Sequence, residues 1–163
     1  MKIRINPFDE KSIAEALKVV QQYKRDFAAK EREFIERLAE IGASVAFTGF
    51  EVADYDGDKG DIDVWVEWQG NKALVMAEGE KIGFLEFGTG VRYPEWNGSG
   101  SDYTPPKHGT YGKGRGANPK GWYFTPGEGA SQHTYGNPPA YAMLTARDEM
   151  VARITQIARE VWR

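Results

Sequence analysis

The segment from Asp9 to Ile41 constrains the fold more than any other. Its apolar residues fall at Ile13, Leu17, Val20, Phe27, Phe34, Leu38 and Ile41. Those spacings put them on one face of a helix. Fifteen of the 33 residues in the segment are charged, so the opposite face is solvated. Asp26 with Lys30 and Glu33 with Arg37 are i,i+4 pairs with the acid first, the favourable order. Ser12 followed by Glu15 has the form of a capping box, with Asp9 as a rival N-cap, and Gly42 suits the C-cap. Such a helix is about 45–50 Å long. That is more than a core of this size needs, so one end is free to serve a neighbour.

The chain has 163 residues, enough for one domain spanning 1–163 with a real core. Its net charge of −3 argues against a general nucleic-acid binder. It has no cysteine, which excludes a disulfide framework, a thiol nucleophile and cysteine-ligated zinc. The opening residues, Met1-Lys2-Ile3-Arg4-Ile5-Asn6-Pro7, lack the apolar stretch of a signal peptide. No run approaches the roughly 20 apolar residues of a membrane span.

Strand signals follow the helix. Phe50-Glu51-Val52 opens one candidate. Ile62, Val64, Val66 and Trp68 alternate with Asp63, Trp65 and Glu67 in a second. Gln69-Gly70-Asn71-Lys72 is a hairpin signal, and Ala73 to Ala77 is the return strand. Two hairpins in a meander are expected. From Glu80 to Phe87, Ile82, Leu85 and the following Gly88 favour a short helix, although Phe84 between Ile82 and Glu86 also permits a strand. Near the end, Asn137 suits the cap and Pro138 the first turn of a last helix. Met143, Met150, Ile154, Ile157 and Val161 supply its apolar stripe. The two long helices should cover the same apolar face of an antiparallel sheet.

Between Val91 and Tyr135 lie nine glycines, five prolines and eight aromatics, with Trp122-Tyr123-Phe124 as a short strand candidate. A loop this long is functional or disordered, and pure linkers lack aromatics. Its cations Arg92, Lys107, Lys113, Arg115 and Lys120 interleave with Trp96, Trp122, Tyr123 and other aromatics. That mixture favours a protein interface, with stacking on bases or sugars as the competing use.

Other motifs carry little chemistry. Asp54, Asp56 and Asp58 match the first ligands of a calcium loop, but Lys59 holds the glycine position and Trp65 the bidentate acid position. A polar loop without metal is expected there. His108 and His133 are 25 residues apart, without the further ligands that zinc needs. The serines lack a nucleophile-elbow context. Gly88-Thr89-Gly90 and Gly112-Lys113-Gly114-Arg115-Gly116 fit no phosphate-loop spacing. No cofactor and no catalytic residue is expected.

Glu86-Phe87-Gly88-Thr89-Gly90 is the most specific signal, and the order of the segments around it is supportive. Phe84-Leu85-Glu86-Phe87-Gly88-Thr89-Gly90 precedes the loop. Gly121-Trp122 falls within it, and His133-Thr134-Tyr135-Gly136-Asn137-Pro138-Pro139 closes it. A final helix runs through Ile157-Ala158-Arg159-Glu160-Val161-Trp162. This order resembles the tail-completion (neck, head-to-tail joining) proteins of long-tailed phages and prophages. Where that family usually carries Pro-Val-Asp-Thr-Gly, this chain has Val45-Ala46-Phe47-Thr48-Gly49 and keeps only the Thr-Gly end.

The resemblance implies an α+β fold, in which a long N-terminal helix and a C-terminal helix pack on an antiparallel sheet, with the 91–135 loop inserted before the last helix. It implies a non-catalytic virion protein, made in the bacterial cytoplasm and placed at the head–tail junction. Its partners would be five further copies in a sixfold ring, the head connector, and the tail-tube or tail-terminator protein, with no membrane and no specific nucleic acid. Interface candidates are Glu86, Phe87, Gly88, Thr89, Gly90, Arg92, Trp96, Lys113, Arg115, Trp122 and Tyr123. Glu86 would pair with a basic group of a neighbouring copy, Phe87 would anchor the segment, and Thr89 would bond local backbone. The alternative is a module that binds carbohydrate or single-stranded nucleic acid through the loop.

Overall fold

A computed structural model describes residues 3–53, 60–90, 114–125 and 129–163. The acidic stretch 54–59 and loop residues 91–113 lie outside the described residues, and so do the expectations placed on them.

Helix α1 spans Glu10–Glu51. Asp9 is its N-cap, accepting from the Lys11 amide at 3.0 Å. Ser12 instead accepts from the Asn6 amide at 2.9 Å and ties down the chain before the helix. Gly42 does not end the helix, and Phe50 and Glu51 belong to its last turn rather than to a strand. The reason lies in helix α3, Ala142–Val161. A Cβ at Gly42 would fall 2.5 Å from Met150 Sδ, and one at Gly49 would fall 2.7 Å from Ala142 Cβ. Ala39, Gly42, Ala46 and Gly49 therefore form a notched face against which α3 packs closely. The two glycines lower helix propensity by about 1 kcal/mol each, and close packing with α3 offsets that cost.

The helices run antiparallel. Ala142 meets Gly49, Met150 meets Gly42, and the Arg37 guanidinium pairs with Glu160. Trp162 packs on Phe34 and Phe27 at centroid distances of 5.2 and 6.2 Å. Lys30 donates to the Arg163 carbonyl at 3.4 Å. Lys30 and Arg37, expected to pair along α1, thus reach across to α3 instead.

Strands β1 (Asp63–Gln69) and β2 (Lys72–Glu78) form an antiparallel hairpin. Gly70 takes φ 63° at the first turn position, which a primed hairpin turn reserves for glycine. Val64 pairs with Ala77, Val66 with Val75 and Trp68 with Ala73 on the inner face. Val64 and Ala77 pack on a cluster of Ala46, Phe50, Leu85, Ala142 and Ala146. Both long helices contribute to that cluster, α1 covers one side of the hairpin, and the fold is α+β. Burying Phe50 and Leu85 contributes about 1.5–3 kcal/mol each. Further along α1, the Arg32 guanidinium stacks 4.1 Å over Trp68, and Asn71 donates to Glu31 at 3.0 Å.

Among the described residues the sheet has only these two strands. The expected meander is absent because its first strand became the end of α1. A lone hairpin is marginal in water, so its cover by α1 is what holds it. Helix α2 spans Ile82–Phe87, as the Gly88 signal favoured. A second small sheet pairs β3 (Trp122–Phe124) with β4 (Gln132–Thr134). Strand β3 was legible in the sequence and β4 was not.

Candidate functional site at the junction of α2 and α3

Helix α2 has six residues, too few to satisfy its own carbonyls. Three consecutive carbonyls find partners just before α3. Phe84 O accepts from Asn137 Nδ2 at 2.9 Å, Leu85 O from the Ala140 amide at 2.8 Å, and Glu86 O from the Tyr141 amide at 3.2 Å. Leu85, fully buried, anchors the segment, whereas Phe87 is only half-buried. The expected anchoring role therefore shifts by two residues, from Phe87 to Leu85.

The Glu86 side chain completes the connection in the other direction. Helix α3 starts after Tyr141, a residue at φ 49° that makes no side-chain cap. The first amides of a helix need acceptors. Glu86 supplies them from 57 residues away: Oε2 accepts from Met143 N at 3.1 Å and Oε1 from Leu144 N at 3.3 Å. A carboxylate at a helix N-terminus also favours the helix dipole. Glu86 is 5% exposed. Burial pushes its carboxyl above the usual range, while the Met143, Leu144 and Ala142 amides pull it back down. Both carboxylate oxygens are thus engaged by α3 within the chain.

Thr89 and Asn137 form the next layer. The Thr89 amide donates to Asn137 O at 3.0 Å, the Asn137 amide donates to Thr89 Oγ1 at 3.1 Å, and Thr89 Oγ1 donates to Asn137 Oδ1. Thr89 therefore bonds across 48 residues rather than locally. Asn137, 2% exposed, does not cap α3, and Pro138 does not open it. The side chain of Asn137 is occupied in joining the Phe84 and Pro138 carbonyls to Thr89. Gly90 and Gly136 lie against each other at φ 84° and 93°. A Cβ on Gly90 would overlap the Tyr135 carbonyl, and one on Gly136 would overlap that of Thr89. Gly88, at φ 70°, supplies the sharp exit from α2.

Of the remaining candidates, Trp122 is brought to this connection. It lines a groove with Phe84, Thr89, Phe124, Thr134 and Asn137. Tyr123 faces outward, edge-on to His133 at 5.0 Å, and His133 is edge-on to Tyr135 at 4.8 Å. Arg115 is exposed on a short 3-10 turn, Gly114–Ala117. Arg92, Trp96 and Lys113 lie outside the described residues. Sequence reasoning missed the capping role of Glu86. One signal was available: no Ser, Thr, Asp or Asn immediately precedes Ala142, so α3 needs a cap from elsewhere.

Among the described residues no group of three His, Asp or Glu side chains is placed to hold a metal ion. No described helix is long and apolar enough to cross a membrane. No family model matches the chain, and neither a curated protein nor a solved structure matches it significantly.

Proposed function

We propose that this chain is a non-catalytic virion protein, a tail-completion component that forms a ring at the head–tail junction of a long-tailed phage or prophage. One observation carries the reading. The two segments that bear the family resemblance, Glu86-Phe87-Gly88-Thr89-Gly90 and Gly136-Asn137-Pro138-Pro139, meet in a single hydrogen-bonded connection. Its polar side chains, Glu86, Thr89 and Asn137, are engaged with the chain's own backbone and with each other. Side chains used in this way fix architecture, which supports a structural part over a reacting site. On this reading the protein is made in the host cytoplasm and ends in the virion. Its partners are further copies of itself, six in a ring matching the tail tube, with the head connector on one side and the tail-tube or tail-terminator protein on the other.

The test is genetic. Loss of the gene should leave full heads and finished tails unjoined in electron micrographs, and the gene supplied in trans should restore joined particles. Normal particles in its absence would defeat the proposal. A second reading rests on the groove beside Trp122 and Phe124, whose aromatic walls and neighbouring Thr and Asn side chains suit a sugar or a base. Saturable binding of a glycan or a single-stranded oligonucleotide, lost in Trp122→Ala, would favour it.

A further inference from the structure

Among the described residues, the first half of α1 projects beyond the elements that cover the second half, with Ala16 the one buried position in it. Helix α3 ends beside Phe27 and Lys30, and the hairpin turn reaches α1 at Glu31. The turns from Glu10 to Asp26 extend roughly 25 Å past these contacts. Their apolar face is not spent. Ile13, Leu17, Val20, Tyr23 and Phe27 are between 39% and 57% exposed. The stripe is continuous with the face that packs on Trp162, since Phe27 belongs to both. A helical arm this short is marginal in water by itself and gains its stability from packing an apolar face.

One surface of the same molecule fits it. On the outer face of the hairpin, Trp65 pairs with Met76, Glu67 with Leu74, and Asp63 with Glu78. Trp65 and Leu74 are each 36% exposed. Two seven-residue strands are about 24 Å long, which matches the arm. Asp63, Glu67 and Glu78 put three carboxylates around this apolar centre, against one lysine, Lys72, beside the turn. Within the arm's stripe the charged residue is Lys24, between Val20 and Phe27 on the same helical face.

We propose that the α1 arm of one copy lies along the outer face of the β1–β2 hairpin of the next. A contact between two different surfaces repeats from copy to copy and closes into a ring when the rotation allows. The inference rests on the self-association in the proposed function but not on the virion role.

The chain has no cysteine, so introduced thiols report the contact directly. Purified Val20→Cys and Leu74→Cys proteins should form a mixed disulfide when combined under oxidation, and neither should form a dimer alone. In light scattering, Lys24→Glu and Glu67→Lys should each weaken self-association by about tenfold, or about 1.4 kcal/mol, and the double reversal should recover it. Circular dichroism and thermal melting confirm that each variant is folded. Four results would overturn the contact: a monomer at all concentrations, a Val20→Cys dimer without its partner, no mixed disulfide, or no recovery in the double reversal. None of these assays involves heads or tails. A positive result beside a failed complementation test would therefore sink the virion role and leave the contact standing.

Discussion

Replacing Glu86 with alanine should unfold the start of α3 before any other part of the molecule yields. The substitution removes both acceptors from Met143 N and Leu144 N, and Leu144 is buried. A buried donor left without a partner costs about 1–3 kcal/mol, so two cost about 2–6. The loss is partly offset, because an isolated buried carboxylate carries its own desolvation cost, which is why its pKa is raised. A net loss of about 2–3 kcal/mol is expected, equivalent to about 4–12 °C in Tm for a chain of this size. Urea unfolding followed by circular dichroism measures it, and hydrogen exchange at Met143 and Leu144 locates it.

Glu86→Gln should cost less, because one oxygen still accepts. It also separates the electrostatic part through pH. The folded carboxyl lies above its ordinary value of 4.5. As pH rises through 4.5 the unfolded chain releases its proton while the folded chain still holds it. The contribution of Glu86 to stability therefore falls as pH rises through the folded pKa. The stability advantage of wild type over Glu86→Gln should be larger near pH 4.5 than at pH 7. A loss below about 0.5 kcal/mol in Glu86→Ala, the size of an ordinary surface substitution, would refute the cap.

Three further outcomes follow from the packing. Gly49→Ala should destabilise by about 1–3 kcal/mol because its Cβ meets Ala142 backbone as well as side chain, whereas Gly42→Ala meets a flexible methionine and should be near neutral in urea melts. Thr89→Val and Asn137→Ala should each destabilise, and a double-mutant cycle should return a coupling of about 1–3 kcal/mol, since the two residues share their bonds. Gly136→Ala should abolish soluble expression, because the new methyl overlaps the Thr89 carbonyl at a positive φ.

Periodicity made some of this legible and left the rest hidden. The face of α1, the Val64 to Trp68 alternation, the Gly70 turn and the short α2 ending at Gly88 are local patterns, and the structure has them. Local rules failed where a distant partner changed the meaning of a residue. Gly42 reads as a helix end only until Met150 is placed against it. Asn137 reads as a cap until its amide is found on Phe84, and the α3 amides it would have served go to Glu86. Lys30 and Arg37 have local acids within reach but bond to the end of α3. At the candidate site, Gly88 was readable as the end of a short helix. That Glu86 and Thr89 serve the chain's own backbone required knowing which segments meet.

On the proposed function, this chain is an architectural part of the head–tail junction. Cryo-electron reconstruction of the neck, in particles produced from the genome that encodes the chain, tests it most directly. The expected result is a sixfold ring between connector and tail tube, with the 42-residue helix α1 visible in each copy and its first half lying on a neighbour. Particles with a complete, joined neck that lacks this chain would contradict it.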